Sequence, residues 1–172
     1  MPTIGVALAI PEPWATQLQD YRSALGDETA TRVPTHITLV PPTEVDERDL
    51  MGIDDNLQHA AGEIAAFGIH LRGTGTFRPV SPVVFVTLAE GIAGCEQLAS
   101  AVRRGPLDVP LQFPYHPHVT VAQHLPDATL DRAFEELATF ECVFSAEEFH
   151  LYRHEEVAGW RPAREFPLEG RS

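Results

Sequence analysis

The 172-residue sequence predicts a mixed α and β domain built from two similar halves, about residues 1–80 and 81–168. Three observations carry this. The word HITLV at His36 returns as HVTVA at His118, 82 residues later (118 − 36). With 8 His, 13 Thr and 44% apolar residues, composition alone would write His-apolar-Thr-apolar about 0.1 times, so two copies are a signal. A second pair, IHLR at Ile69 and FHLY at Phe149, is offset by 80 (149 − 69). The inferred element order also runs through strand, helix, strand, helix and strand twice, as an ancient duplication would leave it.

Taken in order, Ile4–Ile10 (IGVALAI) is a short apolar run bounded by proline and reads as a buried strand. Pro11-Glu12-Pro13 opens a helix to about Leu25, with Trp14, Leu18, Tyr21 and Leu25 on one stripe and Gly26 as its stop. His36–Val40 is the next strand, ended by Pro41-Pro42. A helix starts at Asp46 or Asp49 and runs towards Phe67, and Ile69–Arg72 is a strand. In the second half Val83–Leu88 is a strand, Glu90–Arg104 a helix, His118–Ala122 a strand, Pro126–Phe140 a helix and Phe149–Arg153 a strand. Trp160–Leu168 adds a last strand against the core.

The net charge of −13 argues against long nucleic acid as a partner, because neutralising phosphates takes clustered cations and only Arg103-Arg104 adjoin. All 12 basic residues are arginine. Without lysine there is no Walker A loop, no Schiff base and no lysyl-nucleotide intermediate. Neither a signal peptide nor a membrane span is expected, and Cys95 and Cys142 lack metal-ligand spacing, so a reducing cytoplasm fits.

Strand alternation puts His36 and Thr38 on one face and Ile37 and Leu39 on the other; His118 and Thr120 stand likewise against Val119 and Val121. If the halves pack about an approximate two-fold axis, the two histidines face each other across a groove. One neutral imidazole then takes a proton from an attacking hydroxyl or water, and one protonated imidazole gives a proton to the leaving oxygen. The threonine hydroxyls hydrogen-bond the phosphate's non-bridging oxygens. No metal and no cofactor is needed.

HITLV, HVTVA, the strand before each, and a tail with LYR, Trp160 and Phe166 resemble the LigT-like two-histidine phosphoesterase superfamily, over nearly the whole chain from Ile4 to Leu168. The resemblance implies a bilobal α+β fold, a single two-lobed domain whose two antiparallel sheets line a central cleft with helices outside. It also implies His36 and His118 as catalysts, Thr38 and Thr120 as phosphate ligands, and 2′,3′-cyclic or 2′–5′ phosphodiester chemistry. PPTEVDE follows the first motif where ligase-named members carry Phe-Leu-Gly, which places the likeness nearer the phosphoesterase branch. The expected partner is a small cyclic-phosphate nucleotide or an RNA 3′ end, bound by a monomer. A non-catalytic nucleotide-binding module with the same cleft is the alternative. Tyr152 and Arg153, on a strand neighbouring the cleft, and Arg78, ending the equivalent strand of the first half, are further candidates for contacts to base or phosphate. His116 is read as no metal ligand, because Pro117 intervenes and no third ligand is evident. His70 and His150 are read as solvent-facing or satisfied strand histidines.

Overall fold

The computed structural model describes residues 1–171. In chain order the elements are β1 (Thr3–Ala9), α1 (Trp14–Ala24), β2 (His36–Glu44), α2 (Leu50–Glu63), β3 (Phe67–Thr76), β4 (Val83–Glu90), α3 (Ile92–Val102), β5 (Val119–Gln123), α4 (Asp127–Glu136), β6 (Glu141–Ala146), β7 (Glu148–Glu155) and β8 (Gly159–Pro167). The strands form a curled antiparallel sheet in the order β6-β3-β4-β5-β2-β1-β7-β8.

The expected pair of sheets is present as two four-stranded arms of this single sheet, β6-β3-β4-β5 and β2-β1-β7-β8. Among the described residues they meet at one antiparallel register pair, Ile37↔Val119. The arms are not the chain halves. β3 of the first half pairs with β4, and β7 of the second half pairs with β1 and carries β8 with it, so one arm takes one strand and the other takes two from the opposite half. The helices cross as well: α1 packs on β5 and α3 on β2. Both exchanges tie the two arms to each other.

Three local differences from the sequence expectation have physical causes. Pro41-Pro42 do not end β2, which continues to Glu44. Its register with β1 shifts between Ile4↔Thr43 and Val6↔Val40, and an irregularity of this kind accommodates residues that lack an N–H. The last helix stops at Glu136, before Phe140, and β6 follows. β6 carries apolar side chains on both faces, with Cys142 buried and Val143 exposed, so it lacks clean alternation. The helix expected to run towards Phe67 ends at Glu63, and Phe67 begins β3. No helix among the described residues is long and apolar enough to cross a membrane.

The core lies between the sheet's outer face and the helices. Ile37, Leu39, Val119 and Val121 sit there, each at most 1% exposed. Truncating fully buried Ile37 at the joint, Ile37→Ala, is expected to cost about 2–5 kcal/mol in denaturant unfolding. The control Met51→Ala, at a position 80% exposed, should stay within about 0.5 kcal/mol.

Candidate active site

The single pair at the joint dictates what stands in front of it. Antiparallel strands paired at Ile37↔Val119 set His36 opposite Thr120 and Thr38 opposite His118 when the register is followed one residue each way. All four side chains share the concave face, because Ile37 and Val119 point behind. Directly opposed side chains stand about 4.5–5.5 Å apart at Cβ and diagonal ones about 7–8 Å. The two imidazoles thus lie on one diagonal and the two hydroxyls on the other.

Each ring is held the same way. His36 Nδ1 lies 2.5 Å from the Pro34 carbonyl, and His118 Nδ1 lies 2.7 Å from the His116 carbonyl. A carbonyl only accepts, so each Nδ1 carries the hydrogen and each Nε2 is the atom that titrates. Thr38 Oγ1 lies 3.1 Å from His36 Nε2 and donates to it when the ring is neutral. Tyr115 Oη donates to the Thr38 carbonyl at 2.8 Å, which ties the loop before His118 to β2. Burial pushes the Tyr115 phenol up, so it stays a donor.

The two rings have unlike surroundings. His36 backs onto the segment before β2, which is braced by Arg22. Arg22 is 5% exposed at its side chain, and its Nη1 donates to the Val33 carbonyl at 2.7 Å and to Thr35 Oγ1 at 3.0 Å, while Nη2 pairs with Asp27 at 3.4 Å. His118 is boxed by Phe77, Phe85 and His116, with ring centroids 5.0, 5.2 and 5.7 Å away. Burial drives both imidazoles below the ordinary histidine value. For His36 the Pro34 carbonyl opposes this and the Arg22 guanidinium adds to it; for His118 the His116 carbonyl opposes, while the His116 and His36 rings add.

A cavity of about 340 Å³ opens on this face, with Gly5, Ala7 and Thr38 in its floor, residues 33–35 along one wall, and Tyr152 and Trp160 at its far side. His36 and Thr120 line it, whereas His118 is not among its lining residues. Of the further candidates, Tyr152 reaches this cavity. Arg78 is spent on α4, donating to Asp131 at 2.9 Å, and Arg153 is half-exposed on the other face of β7, 3.8 Å from Glu47. His70 pairs with Glu141 at 2.7 Å. His150 is neither solvent-facing nor satisfied: it lies opposite Ala7 beside Tyr152, half-buried, with Nδ1 unpartnered. Arg22 was not singled out from the sequence, although Leu18, Arg22 and Leu25 share one helix stripe and an arginine there signals a buried charge. Among the described residues no three His, Cys, Asp or Glu side chains are grouped so as to hold a metal ion.

A curled antiparallel sheet with a duplicated His-apolar-Thr word at its seam defines a recognisable class. The 2′-5′ RNA ligase superfamily profile matches residues 10–158, and the chain belongs to that family of LigT-like two-histidine phosphoesterases. A Bacillus licheniformis protein named as a candidate phosphoesterase is 28% identical over 160 residues, covering 88% of this chain and 92% of its own length. A similarly named Oceanobacillus iheyensis protein is 31% identical over 111 residues, 63% of this chain and 65% of its own. Among solved structures, TT0787 of Thermus thermophilus has a TM-score of 0.73 at 23% identity and full coverage of both chains. Escherichia coli LigT complexed with 3′-AMP has a TM-score of 0.71 at 20% identity, covering 97% of this chain and 98% of that one. At those identities the two structures speak for the fold alone.

The lowered imidazoles tie stability to pH. Because each folded-state value lies below the unfolded one, the unfolded chain takes up protons first as pH falls. Stability held above about pH 6.5 is therefore lost on acidification towards the folded values. The urea midpoint should fall between pH 7.5 and pH 5.5, and the fall should be smaller in His36→Asn/His118→Asn, where these groups no longer titrate. An equal fall in both proteins would contradict the assignment.

Proposed function

We propose that the protein is a metal-independent phosphoesterase that opens cyclic phosphates, or acts on RNA ends, by general acid–base catalysis between His36 and His118. The carrying observation is the diagonal pair of imidazoles, each with Nδ1 tied to a carbonyl and Nε2 left to titrate. A phosphate seated between them meets one nitrogen on the side where water attacks and one on the side where the ribose oxygen leaves. Water's oxygen forms a bond to phosphorus, and its proton passes to the neutral Nε2. The bond from phosphorus to one ribose oxygen breaks, and the protonated Nε2 gives that oxygen its proton. The sum is one water added and a nucleoside monophosphate formed; one proton exchange with solvent resets the rings. Thr38 and Thr120, on the other diagonal, donate to the non-bridging oxygens as charge develops there. Ligation is opening of the same ring by a 5′-hydroxyl in place of water, since no lysine is present to carry an adenylate. Its oxygen bonds to phosphorus, its proton passes to the neutral Nε2, and the 3′ oxygen leaves with the proton of the other ring. The family's phosphoesterase character supports the hydrolytic direction. The cytoplasm is its proposed location, consistent with two free, buried thiols.

Nucleoside 2′,3′-cyclic phosphates should be turned over, and turnover should persist in chelator. His36→Ala or His118→Ala should lower it by at least ~10²-fold, with the double variant little worse than either. Thr38→Ala and Thr120→Ala should be milder, each losing a hydrogen bond and no proton transfer. Affinity without product would make the protein a binding module.

The pH profile provides a separate check. One ring must be neutral and one charged, and both titrate below the usual histidine value. The bell of kcat/KM, which reports the free enzyme, should therefore peak on the acid side of about pH 6.5. A plateau rising beyond pH 8 would rule out the pair as drawn.

A further inference from the structure

Each ring of the pair is held by the carbonyl two residues before it, but the residue offering that carbonyl differs. Before β2 it is Pro34, whose side chain carries no charge. Before β5 it is His116, whose own imidazole stands 5.7 Å from the His118 ring, centroid to centroid. Buried Pro117 separates the two histidines, and a residue before proline is held extended. Residues i and i+2 of an extended chain point the same way, so His116, His118 and Thr120 form one row. Phe77, just after β3, and Phe85 on β4 pack on both imidazoles; their centroids lie 5.6 and 5.4 Å from that of His116. His116 is therefore placed as firmly as His118, yet it is exposed where His118 is half-buried.

Charge completes the comparison. Behind His36 the cation is Arg22, buried and tied to Val33, Thr35 and Asp27. On the His118 side Arg78, next to Phe77 in the chain, is turned to Asp127 and Asp131 on α4. The titratable groups that bear on His118 are His116 and His36. Those packed on His116 are His118 and two uncharged rings, Phe77 and Phe85.

We propose that His116 is a positioning residue of the pair: its carbonyl fixes the His118 tautomer, and its ring, once protonated, keeps a second proton off His118. The proposal rests on the phosphoesterase reading for what the pair does. An exposed imidazole keeps its hydration when it charges, whereas a second charge in the half-buried neighbour meets both desolvation and repulsion. The two sides of the site thus work alike with different parts. Arg22 disfavours charge on His36 at every pH, and His116 disfavours it on His118 only after taking a proton itself. As pH falls, a neutral ring then survives in the pair longer than it would beside an uncharged residue.

Nitrogen-15 NMR titration of the free, histidine-labelled protein reads this with no substrate present. In His116→Gln the His118 midpoint should rise by about 0.5–2 pH units, the repulsion of one charge at that range between water and a protein surface. In His116→Arg it should stay below the Gln value. Both variants remove the ring, so the difference between them is the charge. The His36 midpoint should move less in both and reports that the fold is intact. The kcat/KM peak for adenosine 2′,3′-cyclic phosphate should move to higher pH in His116→Gln and less in His116→Arg. Equal His118 midpoints in the two variants, equal movement of His36, or a moved midpoint with an unmoved peak would overturn the proposal. The expected midpoints with no turnover by any of the three proteins would sink the phosphoesterase reading and leave the coupling of His116 to His118 standing.

Discussion

The structure hangs on the antiparallel contact of β2 with β5 at Ile37 and Val119. Each side chain is fully buried behind the sheet, so the pair cannot slip by one residue without exposing its apolar row and burying imidazoles and hydroxyls in the core. Register and chemistry are thus fixed by one constraint. The alternation that hides Ile37, Leu39, Val119 and Val121 necessarily presents His36, Thr38, His118 and Thr120 to the cleft. Tyr115 adds a second clasp across the seam through the Thr38 carbonyl. The exchanged strands β3 and β7 and the crossed helices α1 and α3 make parting the arms costly.

Electrostatics in the cleft work against the protein's overall charge. A chain of net charge −13 gives no long-range attraction to phosphate, so affinity for an anion must be local. Arg22 is the buried cation nearest that task, but its donors are committed to Val33, Thr35 and Asp27. Its effect is therefore architectural and electrostatic: it holds the segment whose Pro34 carbonyl orients His36, and it disfavours charge on that ring. A bound phosphate reverses the balance for both imidazoles, since an anion favours the charged form. In the proposed reaction the substrate thereby supplies part of the field that makes one ring an acid.

Much of this was legible in the residues. The period of two through HITLV and HVTVA identifies which side chains share a face, and the repeat identifies which strands correspond. Other features depended on long-range packing that no local pattern records. The swap of β3 and β7 between arms leaves IHLR and FHLY looking like ordinary repeat partners. Pro41-Pro42 read as a stop because the irregular register that accommodates them belongs to β1. Strand β6 was hidden by exposed Val143 beside buried Cys142. The aromatic box of Phe77 and Phe85 around His118 comes from strands paired only in space. Arg22 was readable in principle, since it shares a stripe with Leu18 and Leu25.

In the proposed reaction two imidazoles, both protonated at Nδ1, hold one phosphate between their Nε2 atoms. Nitrogen-15 NMR of histidine-labelled protein observes those atoms directly, with resonances assigned through the single histidine variants. In the free protein at pH 7.5 both His36 and His118 should show the Nδ1–H tautomer. On titration with a nucleoside 3′-monophosphate at pH 6, both Nε2 resonances should move together with one dissociation constant, while the two Nδ1 signals keep their hydrogen. Movement of only one ring, or an Nε2–H tautomer in either free ring, would contradict the account.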